Sequence, residues 1–485
     1  MITYSPFWKK CAAGGWGISS LPAVGLFLVF LISGCAVGPN YQRPKVYSPP
    51  SFRGETQTGT NSFGDLPWWE VFHDPALQNL VRTAFTNNYD LRVAVSRVEQ
   101  AQALVTEARS QLFPQVGYGG VGGRGKNVGA NNTPSPTGTT GSIFAADVSA
   151  SWEIDLWGRI RRMTESARAQ YFASQDARRD VLTSLIGQVA QDYFQLLAFD
   201  RELAIAKDTT NSFGDSLKIF TERLNGGVAS KLETSSAEAL MDSAAATIPE
   251  LERQIVMQEN QLSVLLGTNP GPIIRGDASL GDQLPPEVPA GMPSTLLERR
   301  PDIREAEQQL RSANALVGVA QADFLPDLSL SGLFGRVSPD LAVFTGGGAT
   351  AWSAAASLTG PIFEGGRLTA ELKRTKAFRD ETALQYQGAV LYAFQEVSDS
   401  LVSRDKLAEE RTQQERAVAA YQEAVATAMK RYKLGNASYY EVLQEQQLLF
   451  PAQNALVQTQ VNQLLSIVQL YRALGGGWQQ EEKKK

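Results

Sequence analysis

Residues 144–155 read FAADVSASWEID, and their alternation sets the fold. Phe144, Ala146, Val148, Ala150, Trp152 and Ile154 alternate with Ala145, Asp147, Ser149, Ser151, Glu153 and Asp155. Successive side chains of a β-strand point to opposite faces, so this pattern makes one apolar and one polar face. About eleven such residues match a transmembrane β-strand, in which lipid-side and lumen-side positions alternate over about 9–11 residues. Trp352, Ala354, Ala356 and Leu358 against Ser353, Ser357 and Thr359 repeat the pattern later in the chain. Weaker partner strands run from Val116 to Gly122 and through Leu328, Leu330 and Phe334. Strands are therefore expected at about 115–124, 143–155, 327–336 and 350–362. Gly-, Asn-, Thr- and Pro-rich loops at 126–141 and 339–348 join them in pairs. A soluble ribbon with one buried face is the competing reading. Trp152 and Trp352, suited to a membrane interface, weigh against it.

Helical sequence surrounds each strand pair. From Arg159 to Leu224 there is no proline, and Val181, Leu185, Val189, Tyr193 and Leu196 recur at helical spacing. Sixty-six residues in one helix would extend about 100 Å. Arg367 to Leu434 repeats this stretch, and returning helices follow at Leu232 to Leu266 and Tyr440 to Leu474. Pro249 and Pro451 should kink the returning helices. Before the strands, helices are expected at about Pro75 to Ser110 and Ser294 to Ala322. Helices this long suggest a coiled-coil-like array.

The chain is written twice. Asn88-Tyr89-Asp90-Leu91-Arg92-Val93-Ala94 returns as Arg300-Pro301-Asp302-Ile303-Arg304-Glu305-Ala306, an offset of 212. Farther on the offset is 208, pairing Arg223 with Arg431, Gly227-Val228-Ala229-Ser230 with Gly435-Asn436-Ala437-Ser438, and Glu233 with Glu441. Ordered agreement over this length points to two structural repeats, 75–283 and 294–476, joined by a Pro-rich connector at 284–293. Their hairpin turns fall at 225–230 and 434–438, and 477–485 is expected to be a frayed, disordered tail. Four strands cannot close a barrel, and an open edge is not tolerated in lipid. Two chains would give eight strands and three would give twelve, so self-association is required while its order stays open.

Lys9 and Lys10 precede the apolar run Leu21 to Ile32, which ends in Ser33-Gly34-Cys35. These are the parts of a secretory signal peptide, expected over 1–34. Leu31-Ile32-Ser33-Gly34-Cys35 also resembles the bacterial lipobox, in which the cysteine becomes the acylated first residue. That resemblance implies diacylglycerol and an N-acyl chain on Cys35, at the head of an extended segment 35–74. Alanine at position 36, under the sorting rule of that class, points to the outer membrane. The whole chain carries one histidine, two cysteines and a net charge of −5. No disulfide pair, zinc set or Cys/His nucleophile remains after processing, and nucleic acid is not an expected partner.

The carrying segments are Cys35 to Pro44; Trp68-Trp69 with Phe72, Asp74-Pro75 and Leu77; Trp152 to Arg159; Leu297 to Ile303; and Arg431-Tyr432 through Ser438 to Leu443. In this order they resemble the TolC-type outer-membrane efflux proteins, in the lipoprotein branch termed NodT or OprM-like. The resemblance implies a mixed α + β membrane protein: a homotrimer with a twelve-stranded transmembrane β-barrel, four strands per chain, continued by a long periplasmic α-helical barrel. It implies a periplasmic adaptor protein and an inner-membrane pump, proton-driven, as partners. The chain itself would be a passive duct with no enzymatic chemistry and no cofactor. By the same resemblance Gly226, Gly227, Ser230, Gly435 and Ser438 form an adaptor-contact tip. Tyr440, Glu441, Gln444 and Glu445 lie at a periplasmic constriction, where a ring of carboxylates would attract cations. Gln444 departs from the family's frequent aspartate.

Other motifs carry less. Gly120-Val121-Gly122-Gly123-Arg124-Gly125 fits GxGxxG, but loop residues follow it where a phosphate site needs a helix. His73 has no second soft ligand and reads as a surface residue. Glu153 and Asp155 share the polar face of one strand and read as lumen lining. The alternatives are the exit duct of a type I secretion system and a structural lipoprotein with no pore.

Overall fold

A computed structural model describes residues 36–54, 62–126, 140–276, 280, 283, 291–346 and 348–478. Cys35 and the signal segment, most of the Pro-rich connector and residues 479–485 lie outside these residues. In chain order the main elements begin with α1 (Pro75–Asn87), α2 (Tyr89–Ser110), β1 (Gln115–Lys126) and β2 (Thr140–Ile154). Then come α3 (Arg159–Asn225), α4 (Lys231–Leu265), α5 (Pro301–Ala322), β3 (Asp327–Ser338) and α6 (Leu341–Gly346). The series ends with β4 (Thr350–Thr359), α7 (Arg367–Lys433) and α8 (Tyr439–Ala473). Helices α3 and α7 are each 67 residues long, and α4 and α8 are each 35. Pro249 and Pro451 lie inside α4 and α8, which continue through them.

Helix ends follow local chemistry. Ser230 and Ser438 open α4 and α8 with capping boxes closed by Glu233 and Glu441, the reciprocal bonding that satisfies two orphan N–H donors. At the end of α3, Gly227 N–H donates to Leu224 O at 2.9 Å and Val228 N–H to Arg223 O at 3.0 Å. Gly435 and Asn436 repeat both bonds at the end of α7. This is the Schellman stop, which needs a left-handed residue after the helix. Gly227 and Gly435 provide it at φ +73° and +79°. The expected single helix 75–110 is divided at Asn88. Its side chain accepts from Leu91 N–H and so caps α2, while its own N–H still donates to Ala84 O of α1. The second counterpart is also divided, because Arg300 before Pro301 is extended rather than helical. The 339–348 loop holds the short α6.

The chain forms two compact units. One, the sheet unit, comprises residues to Tyr41, Val105–Ser166 and Ala313–Ala377. The other, the helical unit, comprises Gln42–Leu104, Ala167–Ser312 and the chain from Phe378 onward. Each draws on both halves of the sequence, so a compact unit is not one half of the chain. The helical unit has a conventional core in which Val189, Tyr193, Phe194, Leu196 and Leu77 are fully buried. The Tyr193 hydroxyl donates to buried Asp74 at 2.7 Å, and Gln283 donates to the same carboxylate at 2.9 Å. Burial and that neighbouring carboxylate push the Tyr193 phenol up.

Candidate functional sites in the sheet, the N-terminal segment and the hairpin turns

The sheet has the order β1-β2-β3-β4, antiparallel throughout, with β1 and β4 as unpaired edges. Directly opposed residues share a face, so the register sorts the side chains. One row across all four strands is Tyr118, Val148, Phe334 and Trp352. The next row is Val116, Ala150, Gly332 and Ala354, followed by Trp152, Leu330 and Ala356, then Ile154, Leu328 and Leu358. Every residue of these rows is apolar or glycine. The run of β2 from Phe144 to Ile154 would rise about 24 Å at a tilt near 45°, close to the roughly 25 Å apolar band of an outer-membrane barrel.

The opposite face is small and mostly polar: Gly117, Ser149 and Leu333 in one row, Ser151 and Ser331 in another, then Glu153, Ser329 and Ser357. Asp147, Glu153 and Asp327 are on this face. The apolar face is open to the surroundings, with Tyr118 93% exposed and Trp352 75%. An exposed apolar surface of this extent marks a membrane or partner contact. Trp152 Nε1 donates to Leu112 O at 2.9 Å, so its indole is oriented rather than free.

Asp155 corrects the sequence reading. Strand β2 ends at Ile154, and the Asp155 carboxylate instead accepts N–H groups of Ile160 and Arg161 at 3.1 and 3.0 Å. It sits at the positive end of α3, where a carboxylate is stabilised. Glu153 remains on the strand but forms an ion pair with Arg159 at 2.7 Å.

In the sheet unit, the residues after Cys35 are held in place. Val37 N–H donates to Trp157 O at 2.9 Å. Buried Arg162 donates to Val37 O, Gly38 O and Asn40 Oδ1 at 3.1, 3.2 and 2.9 Å, and Asn314 donates to Pro39 O at 2.9 Å. Gly38 has φ +101°, and a Cβ there would meet Gly318 Cα at 2.4 Å. Two glycines thus let the segment lie against α5. Sequence reasoning missed this seat, because its partners are 120 or more residues away along the chain. In the helical unit Arg43 continues the attachment with ion pairs to Glu298 and Glu307.

At the hairpin turns Gly226, Gly227, Ser230, Gly435 and Ser438 are all exposed. Tyr440 is 65% exposed, Gln444 is exposed, and Glu445 is half-buried. Glu441 is engaged locally, since its Oε1 accepts Ser438 N–H at 3.4 Å and its Oε2 pairs with Arg431 at 3.3 Å. Behind the turns Phe220, Ala237, Tyr432, Val442 and Leu443 form a buried cluster. The two hairpins are tied by contacts the sequence did not suggest. Arg223 lies 4.2 Å over the Tyr432 ring and donates to Tyr432 O at 3.0 Å. Buried Gln446 donates to Ser216 and Ser212 at 3.0 and 3.2 Å.

Among the described residues no helix is long and apolar enough to cross a membrane, and no cluster of His, Cys, Asp or Glu could hold a metal. His73 is exposed.

The sequence signature described as outer membrane efflux protein matches residues 80–268 and 292–476. The toluene efflux pump outer membrane protein TtgC of Pseudomonas putida is 37% identical over 93% of this chain and 94% of its own. The probable outer membrane lipoprotein SilC of Salmonella typhimurium is 31% identical over 94% and 99%. Among solved structures, the open-state MtrE outer membrane channel of Neisseria gonorrhoeae superposes with a TM-score of 0.83 at 30% identity, covering 92% of this chain and 99% of its own.

Proposed function

This chain belongs to the outer membrane efflux protein family, and from that premise we propose that it is the outer-membrane exit duct of a tripartite efflux system. It passes substrates delivered by an inner-membrane pump and a periplasmic adaptor, and performs no bond chemistry of its own. The observation that carries this is the sheet with a lipid-compatible face, a small polar face and two unpaired edges.

An edge cannot stay open in lipid. With four strands per chain, β4 of one copy runs antiparallel to β1 of the next, so copies join without breaking the alternation. An eight-stranded barrel is filled by its own side chains. Twelve strands from three copies leave a bore, which the small residues of the inner face widen. Three copies are therefore the assembly that conducts.

The orientation follows from connectivity. The ends of β2 and β4, which lead in sequence into α3 and α7, are taken as the periplasmic ends of the strands, and the opposite ends, where β1 and β3 finish, as the outer ends. Acylation of Cys35, two residues before Val37 in the sequence, adds a lipid anchor. The constriction is at the exposed hairpin turns, where Tyr440 and Gln444 share a face of α8 at i and i+4. Arg223–Tyr432 and Gln446–Ser212/Ser216 hold the two hairpins together. The exposed turns themselves are the adaptor's contact. The reading extends to the two halves as copies of one unit, supported by helices of equal length and by the family signature matching each half.

The test is reconstitution of the purified acylated chain in planar bilayers. Stepwise conductance from a species with the mass of three chains is expected, and Arg223→Ala should raise that conductance by loosening the turns. A stably monomeric protein without conductance would overturn the duct.

A further inference from the structure

The charges of the sheet are sorted by face. Register places Arg124, Lys126 and Arg336 on the face that carries Tyr118 and Trp352, and it places Asp147, Glu153 and Asp327 on the other. The described strands carry no carboxylate on the apolar face. Register spaces the three cations outward along that face: Arg336 is one row beyond Tyr118 and Trp352, and Arg124 and Lys126 are three and four rows beyond. Lys126 ends β1 and Arg124 is two residues before it, while Arg336 is two residues before Ser338, the end of β3. All three stand at the hairpin end of their strands, beyond the aromatic row. Each is opposed across the strand gap by a hydroxyl: Arg124 by Ser142, Lys126 by Thr140 and Arg336 by Thr350. Arg124 and Lys126 are exposed, and Arg336 is half-buried.

A cation on the lipid side is strongly disfavoured at the bilayer midplane and nearly free of penalty at the headgroups. Basic side chains there attract anionic headgroups, and guanidinium or ammonium with a neighbouring hydroxyl gives the charge-assisted donors that phosphate oxygens accept. We propose that this rim of Arg124, Lys126 and Arg336, each with its opposed hydroxyl, seats the phosphates of a phosphorylated glycolipid in the outer leaflet. The assignment rests on the outward orientation of the hairpin ends given above. It goes beyond the duct, since it describes what the barrel's outer wall binds.

The probe is diphosphoryl lipid A, added to the purified, acylated, full-length assembly in dodecyl maltoside. Retention is read by native mass spectrometry and by the temperature at which the assembly dissociates. The unmodified protein should retain the lipid and dissociate at a higher temperature with it. The variant carrying Arg124→Gln, Lys126→Gln and Arg336→Gln should bind it about tenfold more weakly, as expected for loss of several charge-assisted contacts, with unchanged conductance in planar bilayers. Arg336→Gln alone should lose part of the retention, and it decides the matter if the triple variant does not assemble. Equal retention by the variants would overturn the proposal. So would equal retention of a phosphate-free glycolipid or of phosphatidylglycerol by the unmodified protein. Absence of conductance from the unmodified assembly would instead defeat the duct reading, so the two failures are told apart.

Discussion

The sheet unit and the helical unit bury their aromatic residues in opposite ways. In the helical unit Tyr193, Phe194 and Phe220 are wholly buried. In the sheet unit Tyr118 and Trp352 are almost bare, and Phe334 is 66% exposed. The first pattern is that of a protein that makes its own core. The second is a surface without a core of its own, which in the proposed duct is supplied by lipid and by neighbouring copies. On the duct reading one chain folds under two solvents, and a substitution should act differently according to which solvent its side chain meets.

The largest contrast should come from adjacent positions of β2. Val148→Arg puts a guanidinium on the lipid face near mid-strand, costing about 2–4 kcal/mol in each copy. Ser149→Arg puts the same group in the bore. Heat-modifiable migration of the assembly on unboiled gels should vanish for Val148→Arg and persist for Ser149→Arg. Equal behaviour of the pair would erase the distinction between the faces.

Next in size is the helical core. Phe220→Ala removes a ring at T-shaped contact, 5.1 Å from Tyr432, and should cost about 3–5 kcal/mol. Hydrogen exchange should rise around the hairpin turns while membrane insertion is retained. Insertion lost together with the turns would mean that the two regions do not fold under separate rules.

A smaller effect concerns charge in the bore. Asp147→Asn removes one carboxylate per copy from the inner face, so the ratio of cation to anion permeability should fall in planar bilayers. Glu441→Ala should change selectivity less, because that carboxylate is engaged in a capping box and with Arg431. Its loss should instead cost about 1 kcal/mol of helix start, read as faster proteolysis at the turn.

The smallest effect is tied to pH in the helical unit. Burial, with Asp180, Asp302 and Asp176 nearby, pushes the Glu305 carboxyl up to about 7. A raised acid binds its proton more tightly in the folded state, so stability falls as pH rises from about 4.5 to about 7. Glu305→Gln should therefore raise the thermal midpoint at pH 8 by a degree or two and leave it unchanged at pH 4. A gain of equal size at both pH values would remove Glu305 as the cause.

Much of this was legible in the sequence, for physical reasons. Alternation in 144–154 and proline-free helical spacing in 159–224 are strong periodic signals, and Gly227 and Gly435 mark stops that only a left-handed residue permits. Asp155 was misplaced because strict alternation runs one residue beyond the strand, into a position that bonds the start of α3. The break at Asn88 was missed because an apolar period does not register a side chain that caps the following helix. Ser438-Tyr439-Tyr440-Glu441 carried the Ser-x-x-Glu signature of a capping box and could have told that Glu441 serves its own helix. Arg223 over Tyr432 and Gln446 against Ser212 and Ser216 could not be read that way. They join residues more than 200 apart, and only the packing of one hairpin on another brings them together.

The central claim is that β2 has one wall in lipid and one in water within a closed bore. It is tested by single cysteines introduced at 145 through 152 and challenged in intact outer membranes with a bulky, water-soluble maleimide. The chain's own two cysteines, Cys11 and Cys35, lie outside this strand. Labelling should alternate, with 145, 147, 149 and 151 reactive and 146, 148, 150 and 152 protected. Uniform reactivity along the segment, or protection of both sets, would contradict a strand that separates membrane from channel.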